Sequence, residues 1–236
     1  MSIKIFYDGS EVWQWSASKI GVDGFTTNAS FVASENLQHR LKTYKEYATE
    51  ALSFAKGRPI SFQVVSKTIE DIEKDAREIL TWGDNIYCKI PIVTANEEST
   101  VELIQKLHSE GFKINVTTVY TKEQIQSVSK VLGKETPAIV SIFARGISDT
   151  GIHPEPYVIE AVNAFSNRDN VEILWAGCQR LLSIKEAEEC GADIVTVPGD
   201  LLRKRDRFGV GIHEASIAKS KLFYNDALKA NLRVRQ

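Results

Sequence analysis

The chain has 236 residues, of which 43% are hydrophobic and 25% charged, with a net charge of −2 at neutral pH. That length suits one α/β barrel of roughly 250 residues, and a balance so close to neutral leaves no basic face to engage nucleic acid. No apolar run approaches the ~20 residues of a membrane span, so no membrane partner is expected.

The N-terminus, Met-Ser-Ile-Lys-Ile-Phe-Tyr, enters a strand without signal-peptide architecture. Cys88, Cys178 and Cys190 are odd in number and not in metal-ligand spacing, which suits reduced thiols and a cytoplasmic location. His39, His108, His153 and His213 are scattered and read as surface or loop residues, not as a zinc set.

Ile3 to Tyr7 reads as a first strand ending at Asp8-Gly9, and Ser10 as the cap of a helix with Val12, Trp13 and Ile20. A second strand, Val22 to Thr27, leads into Asn28. One long helix is expected from Glu35 to Lys56, with Leu37, Leu41, Tyr44, Ala48, Ala51 and Ala55 stepping by three and four. Ile60 to Val65 is the third strand, followed by a helix from Ile69 to Trp82. The fourth strand is Asn85 to Ile92. Asn96 or Thr94 is expected to cap the next helix, through Val101, Ile104 and Leu107.

Lys113 to Val119 is the fifth strand, and Thr121-Lys-Glu-Gln124 has capping-box spacing. Ala138 to Phe143 is the sixth, followed by a loop from Arg145 to Pro156 and a helix with Val158, Val162 and Phe165. Val171 to Ala176 is the seventh, and Ser183-Ile-Lys-Glu186 is expected to open the helix after it. Asp193 to Val197 is the eighth strand. A last helix spans about 213–231. Eight strand–helix pairs without a linker predict a single (β/α)8 (TIM) barrel domain over residues 1–236, with its core at about 3–200 and an additional C-terminal helix. An open doubly wound sheet is disfavoured, because no Gly-rich dinucleotide loop follows the first strand.

The fourth strand contains an anomaly, since Lys89 sits inside an apolar run. A buried lysine loses hydration of its charged form and titrates down towards a neutral amine, which is a nucleophile for carbonyl carbon. The alternative is a lysine on the wet face of an edge strand. The other strand ends carry Asp8, Thr26-Thr27-Asn28, Gln63, Asn115 with Thr117, Ser141 and Gly177-Cys178-Gln179-Arg180. Polar groups converging there cost desolvation, and function is the usual reason for that cost.

Tyr7-Asp8, Gly24-Phe-Thr-Thr-Asn28, Phe62-Gln63-Val64, Lys89-Ile-Pro91, Gly111-Phe-Lys-Ile-Asn-Val-Thr117, Ser141-Ile-Phe143 and Gly191-Ala-Asp-Ile-Val-Thr-Val-Pro198 follow one another over residues 3 to 200. In order and spacing this set resembles the transaldolase family, which includes the fructose 6-phosphate aldolases. The resemblance implies that Lys89 is a Schiff-base lysine, with Asp8 as acid/base. Thr117 and Gln63 would hold a water that shuttles protons, Asn28, Asn115 and Ser141 would bind the dihydroxyacetone hydroxyls, and Thr27 would be a further substrate-binding residue. It implies no metal and no cofactor, because the iminium is the electron sink. Family members are often rings, so a homo-oligomer is expected.

Departures from the family pattern are informative. Position 63 is Gln as in the aldolase branch, while position 143 is Phe as in the transferases. After the sixth strand the order is Arg145-Gly146-Ile147 where the family has Gly-Arg-Ile, and Gly177-Cys178-Gln179-Arg180 replaces a Ser-x-Arg or Ser-x-Lys. Either Arg145 and Arg180, with Gly177 between them, bind a sugar phosphate from shifted positions, or the head group is a sulfonate, as in 6-deoxy-6-sulfofructose. The competing functions are a transferase of dihydroxyacetone units, an aldolase releasing free dihydroxyacetone, and a non-catalytic binding or assembly protein on the same barrel.

Overall fold

Among the described residues eight strands form, each only a few residues long: Lys4–Asp8 (β1), Gly24–Thr26 (β2), Ile60–Gln63 (β3), Ile86–Pro91 (β4), Ile114–Val119 (β5), Ala138–Ile142 (β6), Val171–Trp175 (β7) and Ile194–Pro198 (β8). Each pairs in parallel with the next and β8 pairs back onto β1, closing the barrel. This computed structural model describes residues 3–16, 18, 21–39 and 43–234, with the backbone alone for 35–39.

The helices are Val12–Ser16 (α1), Ala29–His39 (α2), Tyr44–Ala55 (α3), Ile69–Leu80 (α4), Val101–Ser109 (α5), Lys122–Val131 (α6), Ala144–Asp149 (α7), Glu155–Ala164 (α8), Leu182–Glu189 (α9), Gly199–Leu202 (α10) and Ile212–Lys229 (α11). The chain divides into a unit ending at Leu202, which holds the barrel, and a second from Arg203 onward, which holds α11. The predicted (β/α)8 barrel with a C-terminal helix is the fold observed.

The main apolar core lies between the sheet and its helices. Ile72, Ala76 and Ile79 of α4, and Leu103, Ile104 and Leu107 of α5, are buried against the outward residues of the strands. Full burial of the Ile and Leu side chains among them stabilises by about 1.5–3 kcal/mol each.

Four local expectations are corrected. The helix expected over 35–56 is two helices: α2 ends at His39, and Thr43 starts α3 by accepting a hydrogen bond from the Glu46 amide at 3.1 Å. Ile20 and Leu41 lie outside the described residues, as does the side chain of Leu37. α5 begins at Val101, because the Thr94 hydroxyl instead accepts from the amides of Asn96 and Glu98, folding 94–98 into a turn. The segment expected as a loop after Phe143 contains α7. Ser183 is buried within α9 instead of capping it.

His108 is a fifth correction, being 2% exposed and not a surface residue. It lies on the apolar face of α5. Its Nδ1 accepts from the Gly133 amide at 3.0 Å, so the proton is on Nε2 and points to the Thr136 carbonyl at 3.0 Å. Burial lowers its pKa and keeps the ring neutral.

Candidate active site

Alternate residues of each strand face the barrel interior, and their chemistry changes along the strands. Phe6, Ile139, Leu174, Ala176 and Ile194 form an interior apolar cluster, with Tyr87 and Phe143 packed against it. The Phe6 ring takes the room beside Gly24, where a Cβ would come within 2.5 Å of it. Two residues further along the same strands the interior turns polar: Asp8 follows Phe6, Thr26 follows Gly24, Lys89 follows Tyr87, Ser141 follows Ile139 and Thr196 follows Ile194. The polar tier therefore lies at the C-terminal ends of the strands, where barrel active sites are built.

Lys89 is 7% exposed. In register it sits beside Gln63 on β3 and Asn115 on β5, and its Nζ donates to the Thr27 carbonyl at 3.2 Å. Burial pushes its pKa below the ordinary lysine value, against the opposing charge of Asp8. Asp8 is the mirror case. Desolvation raises its carboxyl, while Lys89, a hydrogen bond from Thr26 and the charge of Arg145 pull it down less strongly. Desolvation wins at both groups, so both are displaced towards their neutral forms. Asp8 keeps some accessible surface at the mouth, which is where a substrate hydroxyl would meet it.

A chain of hydrogen bonds holds the remaining polar groups. Thr26 donates to Asp8 Oδ1 at 2.8 Å, and Thr196 donates to Thr26 in turn. Ser141 donates to Asn115 Oδ1 at 2.7 Å, and Asn115 Nδ2 donates to Ser61 Oγ at 3.0 Å. Thr27 Oγ1 donates to the Ser61 carbonyl at 2.8 Å. The Asn28 side-chain oxygen accepts from the Phe31 amide at 3.0 Å and caps α2, so any ligand contact falls to its amide nitrogen. Thr117 is buried on β5 and lies opposite Pro91.

The strand ends thus bring Lys89, Asp8, Gln63, Asn115, Thr117 and Ser141 to one tier, which Thr27 joins through its carbonyl while its hydroxyl is turned onto the Ser61 carbonyl. Arg145 is placed differently. It is in the first turn of α7, its amide bonded to the Ala176 carbonyl at 3.2 Å, and its charge reaches Asp8. Gly177, at φ 80°, allows that approach, because a Cβ there would lie 2.5 Å from the Arg145 Cβ. Arg180 is turned away onto Glu186 of α9 and is exposed. Arg145, Gly177, Gln179 and Arg180 line one cavity of about 260 Å³.

Sequence reading missed several members of the tier. Ser61 and Thr196 were available from strand alternation alone. Tyr44 was read as one more apolar helix residue, yet its hydroxyl is bonded to the backbone of Gln63. Thr118, at φ 56°, forms a bulge where the β5–β6 register slips between Val116 and Val119; the bulge turns Val119 outward into the core and leaves Thr117 facing in.

Residues 5–231 match the family model described as transaldolase/fructose-6-phosphate aldolase. A probable transaldolase of Bdellovibrio bacteriovorus is 28% identical over 97% of this chain and 99% of its own length. A probable transaldolase of Caldicellulosiruptor saccharolyticus is 29% identical over 86% of this chain and 88% of its own. Among solved structures, dihydrodipicolinate synthase from Thermotoga maritima superposes with a TM-score of 0.60 at 10% identity, covering 84% of this chain and 71% of that one, which is a likeness of fold alone. A barrel-wide match to the family model, with a buried lysine at the centre of the polar tier, makes this chain an enzyme of the transaldolase/fructose-6-phosphate aldolase family.

Proposed function

We propose that the enzyme transfers a dihydroxyacetone unit from a ketose with an anionic 6-substituent to an aldehyde such as glyceraldehyde 3-phosphate, through a Schiff base on Lys89. The observation that carries this reading is the buried Lys89 amine, driven towards neutrality by desolvation and flanked by Gln63, Asn115 and the charge of Asp8. The neutral amine adds to the ketone carbon, and loss of water from the carbinolamine gives an iminium. A water held by Thr117 and Gln63 carries the protons of that step. Asp8 then takes the C4 hydroxyl proton while the C3–C4 bonding pair moves into the iminium, leaving an enamine and a free aldehyde. The acceptor aldehyde is attacked by the enamine, Asp8 returns the proton, and water releases the new ketose. Asn115 and Ser141, already ordered by each other, present polar groups to the donor hydroxyls, alongside Thr27 and Asn28.

Phe143 favours transfer over release of free dihydroxyacetone, because it brings no hydroxyl to activate a hydrolytic water. The head group favoured is a sulfonate, as in 6-deoxy-6-sulfofructose. Arg180 is held by Glu186 at 2.5 Å, whereas Arg145 is paired more loosely with Asp149, at 3.6 Å, and is the cation whose charge reaches Asp8. A phosphate dianion is held best by paired cations. We also infer cytoplasmic self-association. α11 has no buried residue and exposes Ile217, Leu222, Phe223 and Leu228, and Cys88, Cys178 and Cys190 are free thiols, as suits a reducing compartment.

Borohydride reduction in the presence of the ketose, followed by peptide mass mapping, tests the chemistry. A mass increase on Lys89 is expected, and its absence ends the reading. Turnover that does not depend on added acceptor would establish the aldolase alternative. Arg145→Ala should weaken the sulfosugar strongly and Arg180→Ala weakly; equal losses for sulfosugar and phosphosugar in both variants remove the sulfonate preference.

A further inference from the structure

The strand beside the proposed water site is incomplete. β2 contacts β3 only through Phe25↔Ile60 and Thr26↔Ser61, and one more rung follows, from the Thr27 amide to the Ser61 carbonyl at 3.1 Å. The chain then leaves the sheet, with Asn28 capping α2. In a parallel sheet successive residues bond alternately to the two neighbouring strands. Ser61 bonds towards β2, and the Val64 amide bonds towards β4 at the Lys89 carbonyl, 3.1 Å away. Gln63 therefore aims its N–H and C=O at a place on the β2 side that β2 no longer fills.

A single phenol fills it. The Tyr44 hydroxyl accepts from the Gln63 amide at 3.0 Å and donates to the Gln63 carbonyl at 3.0 Å. One O–H has taken both roles of a missing strand residue. The ring is mounted firmly: Tyr44 is the first residue of α3, behind the Thr43 cap, and it packs edge-on against Phe62 at 6.1 Å and Trp82 at 5.5 Å. Gln63 itself is the register neighbour of Lys89. The Gln63 backbone, and with it the direction of the side-chain amide, is consequently fixed from outside the barrel by a group that does not reach the reacting atoms.

We propose that Tyr44 is a positioning residue for the proton-transfer step, holding the Gln63 amide at the height where, with Thr117, it orders the water that dehydrates the carbinolamine; this rests on the water-holding role proposed above for Gln63. The phenol splints the end of β3 in place of β2. Its loss slows iminium formation more than it weakens donor binding, because Asn115 and Ser141 lie on the other side of Lys89 and the Thr27 hydroxyl, which also meets the phenol, is held by the Ser61 carbonyl at 2.8 Å.

Tyr44→Phe keeps the ring and its packing and removes only the hydroxyl. Amide exchange at Gln63 should then accelerate by about tenfold, the factor that corresponds to one lost hydrogen bond, while exchange in β5 and β6 is unchanged. The single-turnover rate of borohydride-trappable adduct on Lys89 should fall by about tenfold with the donor KM nearly constant. In a double-mutant cycle, Tyr44→Phe should cost that factor in the wild-type background and almost nothing in Gln63→Ala, since it acts through that side chain. Equal losses in both backgrounds overturn the positioning role while leaving Gln63 in place. A Gln63→Ala variant that traps adduct at the wild-type rate overturns the water site itself, and the proposal with it. Unchanged Gln63 exchange in Tyr44→Phe shows that the phenol is not the splint.

Discussion

Gly177→Ala should be costly for a reason that a comparison glycine separates into its parts. Gly177 stands at φ 80°, and an added Cβ would lie 2.5 Å from the Arg145 Cβ, well inside the 3.5–4.0 Å of normal carbon contact. The obstacle is not a swinging side-chain end. It is fixed to a backbone whose amide is bonded to the Ala176 carbonyl at 3.2 Å. Entering the left-handed region costs a non-glycine residue about 1–2 kcal/mol, and forced overpacking adds about 1–3 kcal/mol, so the sum is about 2–5 kcal/mol. Gly57 has nearly the same backbone, φ 79°, with nothing within 4 Å of its Cβ position, and Gly57→Ala should cost only the first part. Urea unfolding of both variants, with the slope m checked for constancy, should separate them by about 1–3 kcal/mol. The same displacement of Arg145 should raise KM for an anionic ketose in Gly177→Ala and leave it unaltered in Gly57→Ala. Equal destabilisation in the two variants would refute the close approach of α7 to the end of β7.

Lys89→Met should abolish adduct formation and, by removing the charge that partly offsets the desolvation of Asp8, push the Asp8 pKa further up. Because the folded pKa of Lys89 lies below its unfolded value of 10.5, the unfolded chain holds more protons in that window, and wild-type stability rises with pH through it; the same rise should be missing from the variant in unfolding titrations. Asp8 is raised above 3.8 by burial, so it charges later than an ordinary aspartate. The acid limb of kcat/KM should have its midpoint above 3.8 and vanish, with most of the activity, in Asp8→Asn. Thr118→Asn should stabilise by about 0.5–1 kcal/mol, since asparagine tolerates a positive φ better than a β-branched residue does, and a thermal melt reads this directly.

The barrel and its reactive tier were legible in the sequence where they depend on period alone. A lysine two residues after Tyr87 and a carboxylate two residues after Phe6 must face the same interior as those rings, and no tertiary detail is needed to say so. What was not legible shares a cause. The break between α2 and α3 turns on Thr43 and Glu46, a start signal lying inside an otherwise continuous helical pattern. His108 reads as polar until the backbone groups of Gly133 and Thr136, both distant in sequence, are seen to satisfy its ring. The Thr118 bulge leaves no trace in Asn-Val-Thr-Thr-Val, since an inserted residue reverses the alternation only when the register of β6 is known. Tyr44 extends the same logic to chemistry: its phenol matters because β2 ends one residue early beside β3, a fact about another strand. Side chains that act on their own strand announce themselves by spacing, whereas those that compensate for where a neighbour stops do so only in three dimensions. In this barrel the proposed reacting groups belong to the first kind, and the groups that hold them to the second.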